Sequence, residues 1–588
     1  MSILQPYLPP TPQDIDPTAP PAAPVSATGG YSEGGSLYAL GIIHGCDTGS
    51  DSALRNQTNA LLRSHLRSSH ANEAISHGAA LGVGLTAMGT NNLQILQELK
   101  EVLYTDSAVA GEAAALGIGL VLVGSGVTNL QANTADISDS LEISELVREL
   151  QNYAKETQHE KIIRGIGMAL ALINYGQEDK AADTIHEMNR DRDPIIRYGA
   201  QYAIGLAFCG TGSNKAIRSL LHAAVSDVND DVRAAAVISL AFVLYKTPER
   251  VPQIVKLLLE SFNPHVRYAS CMAVGIAMAG SGDAECVTLL EPMLSDMTDF
   301  VRQGALLGTS MIYMQQSDTC NGRKIIQFRE KLSSIIADKH QTLLTKMGAV
   351  LGTGIIDAGG RNCLLDLGSL HGFTKMTNVV GLTLWLQHWH WFPMMHMFCL
   401  ALTPTVTIGL NKDMKFPKSF TMECRAKQST FSYPKRSEEK KEEKKKRVET
   451  VALSITSKVK ARLARKKAKE EVVSGSHGGH EEPTKAEAME TDEVDVVTAK
   501  KKREPEPNSF RMINPCRVTK AQAQYCEIDV AQRYRPIQLD DKPYGVIILT
   551  DSQPSEIDTC MGNIFPPSMG ADDEADPPEP FEWSPDSN

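Results

Sequence analysis

The chain has 588 residues, with 59 Lys and Arg against 70 Asp and Glu, for a net charge of -11. The charged runs carry no interleaved aromatics, which argues against nucleic-acid binding, and the length allows several domains or one long array. The eleven Cys are scattered without a Cys-x-x-Cys pair, so neither a zinc site nor a disulfide framework is expected, and a reducing compartment fits.

Residues 1–34 are rich in Pro, Ala and Gly (Leu8-Pro9-Pro10, Pro20-Pro21) and read as a leader without fixed structure. Met1 leads into this stretch without the basic-then-apolar order of a secretory signal.

A repeat of one helical pattern follows over residues 35–362. Nine segments begin with a small residue: Gly35, Gly78, Ala113, Gly165, Gly199, Ala235, Ala269, Gly304 and Gly348. Six positions on, each has another: Gly41, Gly84, Gly119, Ala171, Gly205, Ala241, Gly275, Ser310 and Gly354. Eleven positions on, six carry Gly: Gly89, Gly124, Gly176, Gly210, Gly280 and Gly359. Starts near 35 residues apart, with little strand signal, predict an α-solenoid of about nine stacked helix pairs. Interior Gly costs a helix about 1 kcal/mol against Ala, so its recurrence requires close packing. Six residues turn a helix by about 240°, which places the two small positions on different sides, each against a neighbour. The third position falls just past the helix end, where Gly adopts a left-handed turn.

Asp193-Pro194, Asn229-Asp230, Asn263-Pro264 and Thr298-Asp299 read as caps of the core helices. Arg197, Arg233, Arg267 and Arg302 recur three residues after each Pro or Asp. They are expected to pair with turn carboxylates of adjacent repeats; the competing reading is a binding stripe for acidic partners. Lys215 to Val225 and Glu285 to Leu294 have the spacing of second helices. Residues 125–160 read as either an exposed loop or an extra helix, and 316–347 as one more helix around Ile325 to Ile336.

Past the repeats, residues 363–434 with 508–555 read as a small β-rich domain, Thr403 to Ile408 and Gly545 to Leu549 being its clearest strands. Val379 to Leu410 is apolar and holds Trp385, Trp389 and Trp391, but Gln387, His388, His390 and Pro393 interrupt it too soon for a membrane span. His388, His390 and His396 lack a carboxylate or Cys at ligand spacing, so core packing is expected there rather than a metal. Residues 435–507 form a charged, low-complexity insert with a second basic run, Lys500 to Arg503, that fits a nuclear-import signal. Residues 556–588 form an acidic tail. It contains Pro577-Pro578-Glu579-Pro580-Phe581-Glu582-Trp583, in which prolines limit the entropy lost on docking and two aromatics offer apolar anchors.

Gly34-Gly35-Ser36-Leu37-Tyr38-Ala39-Leu40-Gly41, Glu156 to Lys161, Ser226 to Arg233, Asn263 to Tyr268, Ile356 to Gly360, Trp391-Phe392-Pro393 and Ile408 to Asp413 together resemble the larger non-ATPase scaffold subunits of the 26S proteasome regulatory particle. The resemblance covers residues 31–588. It implies proteasome/cyclosome repeats closed into an α-helical ring, no catalytic activity and no cofactor. It also implies ATPase and lid subunits as partners, ubiquitin or ubiquitin-like domains as further candidates, and residence in cytoplasm and nucleus. The family's tail docks into the pleckstrin-like domain of a ubiquitin receptor, a role that falls here on Pro577, Pro578, Glu579, Pro580, Phe581, Glu582 and Trp583. Trp583 stands where the family has Tyr, and Ser584 to Asn588 replace its final acidic pair. Family members carry a helical arm and further repeats before the position of Gly35, so an unclosed ring with an exposed apolar face at Gly35 to Cys46 is expected. The alternative from another class is a HEAT-like transport receptor or trafficking adaptor. An enzyme is disfavoured, for no phosphate loop, Ser/His/Asp set or metal spacing occurs in the sequence.

Overall fold

The computed structural model describes residues 4–9, 29–45, 52–68, 72–126, 137–317, 320–369, 372–388, 392–431, 506–529, 531–537, 544–554 and 556. Nine helices bear the small-residue pattern: α1 (Gly29–Gly45), α3 (Glu73–Thr86), α5 (Ala108–Val121), α7 (Glu160–Ile173), α9 (Pro194–Ala207), α11 (Asp230–Val243), α13 (Pro264–Ala277), α15 (Asp299–Ile312) and α17 (Leu343–Ile356). Between them lie α2 (Ser52–Ser68), α4 (Leu93–Leu103), α6 (Ile137–Glu156), α8 (Ala182–Asn189), α10 (Asn214–Ser226), α12 (Arg250–Leu259), α14 (Ala284–Leu290) and α16 (Lys324–Ala337). Each odd-numbered helix packs on the next odd one, and each even-numbered helix covers an odd neighbour, which gives two layers. Of the stretch 125–160, left open as a loop or an extra helix, residues 137–156 form the helix α6, and 127–136 lie outside the described residues. The first helix begins at Gly29, inside the stretch read as leader, and Ser36 Oγ donates to Tyr7 O at 2.9 Å.

The caps explain where the helices start. Asn72, Asn92, Ser107, Asp193, Asn229 and Asn263 accept backbone N–H groups of the first turn through their side chains. Thr298, expected to do the same, makes no such bond; the next residue, Asp299, accepts from Phe300 N at 2.9 Å instead.

The small residues separate by direction. A Cβ at the second small position would meet the following odd helix: Gly41 would lie 2.5 Å from Gly82 Cα, Gly84 2.7 Å from Gly117 Cα, and Gly119 2.6 Å from Ala169 Cα. At the first position it would meet the preceding one, as Gly199 would at 2.8 Å from Gly167 O. Gly35 and Gly354 are the exceptions. Both are exposed with nothing within 4 Å, for among the described residues no odd helix packs on α1 from before it or on α17 from after it. Within the stretch expected to expose an apolar face, Gly35 to Cys46, Ile43 is open while Leu37 and Leu40 are buried, and Cys46 lies outside the described residues.

All six glycines at the third position have positive φ, from 57° to 75°, and Gln315 takes that conformation in the α15 repeat. These turns also join the repeats. Gly89 N donates to Leu120 O at 3.0 Å and Asn91 N to Val121 O at 3.2 Å. The pair recurs as Gly124 and Gly126 on Leu172 and Ile173, Gly210 and Gly212 on Phe242 and Val243, and Gly280 and Gly282 on Met311 and Ile312. Each turn thus satisfies carbonyls that the next helix leaves open at its C-terminus.

Two hydrophobic cores divide the chain at about residue 405 rather than at 363. Residues 363–404 belong with the array. β1 (Cys363–Leu365) pairs antiparallel with β2 (Leu402–Pro404), and α18 (Met376–His388) lies between them in sequence. Gln387 bonds to Tyr198 of α9, Thr374 Oγ1 lies 2.6 Å from Tyr245 Oη after α11, and Met376 lies against Gly89 after α3. One segment therefore touches repeats far apart in sequence, so the array curves around it. The strand expected over Thr403 to Ile408 is two: Pro404, which lacks an N–H, ends β2, and β3 (Ile408–Leu410) joins the second core.

That second core is a strand-rich unit around Phe420, Met422, Cys424, Val518, Tyr534, Ile547 and Leu549. β3 runs parallel to β8 (Val546–Asp551), which pairs antiparallel with β7 (Tyr534–Pro536). β4 (Thr421–Cys424) lies between β5 (Phe510–Ile513) and β6 (Cys526–Ile528), with Cys424 opposite Phe510 and Cys526. The strands on either side of the charged insert are therefore direct neighbours. Gln315 Nε2 donates to Thr405 Oγ1 at 2.6 Å and Arg517 Nη1 to Arg361 O at 2.8 Å, tying this unit to the end of the array.

Candidate partner-binding site

The residues singled out for partner binding, Pro577, Pro578, Glu579, Pro580, Phe581, Glu582 and Trp583, lie outside the described residues. So do Trp389, His390 and Trp391. Trp385 is 2% exposed and packs against Phe398 with ring centroids 4.9 Å apart, as the core reading requires, whereas His396 is exposed and departs from it. Among the described residues, no three His, Cys, Asp or Glu side chains are grouped to hold a metal, and no helix is long and apolar enough to cross a membrane.

The arginine row serves the array itself. Arg197 donates to both carboxylate oxygens of Asp227 at 3.0 and 3.1 Å, and Arg267 to those of Asp296 at 2.9 and 3.1 Å. Burial works to raise the Asp227 and Asp296 carboxyls, but the arginine bonds outweigh it and both lie below the ordinary value. Arg233 and Arg302 depart from the ladder. Arg233 Nε donates to Asp227 O at 2.5 Å, and Arg302 reaches Thr345 Oγ1 at 3.1 Å and Asp296 O at 2.7 Å. Two of four arginines thus form the expected inter-repeat ion pair, and all four pin the turn before their own helix.

Buried titratable groups gather where α3, α5 and α7 meet. Burial raises Glu112 to about 7, opposed by Lys161 and Arg164; burial and Lys161 lower His77 to about 4. Between α6 and α9 an open groove of about 700 Å³ is lined by Lys155, Arg190 and Arg192 with Glu187, Asp191 and Asp193, over apolar residues such as Ile163, Leu170 and Met188. A concave wall with both signs of charge suits contact with a protein surface better than chemistry on a small molecule.

The family model of the 26S proteasome regulatory subunit RPN2 C-terminal domain matches residues 405–560, the strand-rich unit. Models of HEAT repeats match 147–241 and 217–310, and the proteasome/cyclosome repeat matches 78–112. The order of an array followed by this unit is shared with whole proteins. The 26S proteasome non-ATPase regulatory subunit 1 homolog A of Arabidopsis thaliana is 42% identical, over 96% of this chain and 57% of its own length. This chain is a relative of that subunit. The Drosophila melanogaster 26S proteasome non-ATPase regulatory subunit 1 is 39% identical over 99% of this chain and 57% of its own length. The 26S proteasome regulatory subunit rpn2 of Schizosaccharomyces pombe is 39% identical over 99% of this chain and 58% of its own. The chain spans a little over half the length of these curated relatives.

Sequence reasoning missed the second donor of each turn, two residues after the left-handed glycine. Its signal is present as Gly126, Gly212 and Gly282, all with positive φ.

Proposed function

We propose that the chain is a non-catalytic scaffold subunit of the 26S proteasome regulatory particle base, working in cytoplasm and nucleus. It positions ATPase and lid subunits and holds a ubiquitin receptor through its C-terminal tail. The observation that carries this reading is collinear similarity to regulatory subunit 1 through both array and strand-rich unit, over 96% to 99% of the chain. A transport adaptor would account for the HEAT repeats alone. In the proposed arrangement residues 35–404 form a stiff frame, 405–434 with 508–555 a second unit, 435–507 an insert and 556–588 a tether. Phe581 and Trp583 anchor the tail in the receptor's pleckstrin-like domain. Tethering raises the receptor's local concentration, so modest tail affinity suffices.

The test is capture of purified receptor by the full chain and by a chain ending before Pro577. Capture is expected to be lost on truncation and in Phe581→Ala with Trp583→Ala. Undiminished capture by the truncated chain would remove the tail's role while leaving the frame's untouched.

A further inference from the structure

Three consecutive turns present a large apolar side chain to solvent at the same place in the repeat. Val228, Phe262 and Met297 each stand seven residues before the first small position of α11, α13 and α15, and are 91%, 103% and 97% exposed. The corresponding residue is polar in four other repeats: Asp106, Gln158, Arg192 and Gln341. The apolar choice is therefore local to three neighbouring turns and is not demanded by the fold.

The backbone under each is held. Arg267 Nη1 donates to Phe262 O at 3.1 Å and Ser261 O at 2.8 Å; Arg302 Nη1 donates to Met297 O at 3.1 Å and Asp296 O at 2.7 Å. Arg233 Nε donates to Asp227 O, the carbonyl just before Val228, at 2.5 Å. Leu257, 79% exposed on α12, and Val225, 68% exposed on α10, extend the apolar surface. The exposed charges within these three turns are all acidic: Asp230, Asp231 and Glu260. Asp230 accepts from Asn263 Nδ2 at 2.6 Å, so it also links two of the turns.

We propose that Val228, Phe262 and Met297 form a docking row for an amphipathic helix of a partner protein, with an apolar residue at every seventh position flanked by Lys or Arg. Packed helices lie about 8–10 Å apart, which sets the spacing of successive turns. Seven residues of α-helix rise about 10.5 Å, close to the upper end of that spacing, so a partner helix laid obliquely along the row brings about one anchor to each repeat. Its basic flanks face Asp230, Asp231 and Glu260. Rigid turns reduce the ordering entropy lost on binding.

The probe is a fluorescein-labelled helical peptide of about 17 residues, with leucine at every seventh position and lysines flanking each leucine. Its control is an isomer with the leucines moved off that spacing. Fluorescence anisotropy with the full chain should show binding about tenfold tighter for the spaced peptide. Val228→Ser with Phe262→Ser and Met297→Ser should weaken that binding by at least about tenfold, and about 0.5 M salt should weaken it further. Circular dichroism melting verifies that the triple variant folds, and Phe262→Ser alone serves if it does not. Equal binding of the two peptides, or equal binding by wild type and variant, overturns the proposal. So does self-association of the chain that the triple variant abolishes without any peptide binding, since the row would then serve a second copy.

Discussion

At the scale of single residues, space around a missing side chain decides what each small residue does. Gly84 and Gly275 face a neighbouring backbone that a methyl group would strike, at Gly117 and Gly308 respectively. Gly354 has the same sequence pattern and faces nothing. Gly275→Ala should therefore destabilise the chain by about 2 kcal/mol through overpacking, whereas Gly354→Ala should stabilise it by up to about 1 kcal/mol through helix propensity. Denaturant midpoints of the two variants check this directly, and equal effects would contradict it. Charge gives a second prediction at this scale. Glu112 is raised by burial from 4.5 to about 7, so its contribution to stability is complete below 4.5 and lost as pH rises through 7. His77 is lowered by burial from 6.5 to about 4, so its contribution is complete above 6.5 and lost as pH falls through 4. Between pH 4.5 and 6.5 the two slopes oppose each other. Glu112→Gln should unmask a stability that rises with pH across that window, and His77→Gln one that falls, each by on the order of 3 kcal/mol. Urea unfolding at several pH values measures both.

At the scale of elements, the repeat is held by helix packing, by turn-to-helix hydrogen bonds and by arginine. Arg267→Ala removes a two-pronged ion pair with Asp296 and two bonds to carbonyls, from a side chain only 17% exposed beside a carboxylate 9% exposed. A loss of about 3 kcal/mol is expected. Arg302→Ala removes no ion pair and should cost nearer 1 kcal/mol. Thermal unfolding compares them, and equal losses would show that the carbonyl bonds rather than the ion pairs carry the effect. Nearly all of this element was legible in the sequence, because a helix wedged between neighbours must repeat its small residues. The direction of each small residue was not, since that depends on which helix lies on which side. Nor was the partition of the arginines, which share one motif but meet different acceptors: Asp227 and Asp296 stand opposite Arg197 and Arg267, while Thr345 stands opposite Arg302.

At the scale of the whole molecule, residues 363–404 are the part that local pattern could not place. Short strands and an apolar helix look the same whether they serve a separate domain or the core of an array. Only contacts such as Gln387 with Tyr198 and Thr374 with Tyr245, across long stretches of sequence, show that the repeats curve around them. The tail reads as an aromatic motif by composition and lies outside the described residues, so the role proposed for it stands on that motif. A curved array with buried small residues, a strand-rich unit tied to its end by Arg517 and Thr405, and similarity to regulatory subunit 1 along its length are what the proposed scaffold role rests on. The most direct test is affinity purification of the tagged full chain from cells under native conditions, followed by quantitative mass spectrometry. The account predicts proteasomal ATPase and lid subunits in near-equal amounts with the chain. Recovery of the chain without them would contradict it.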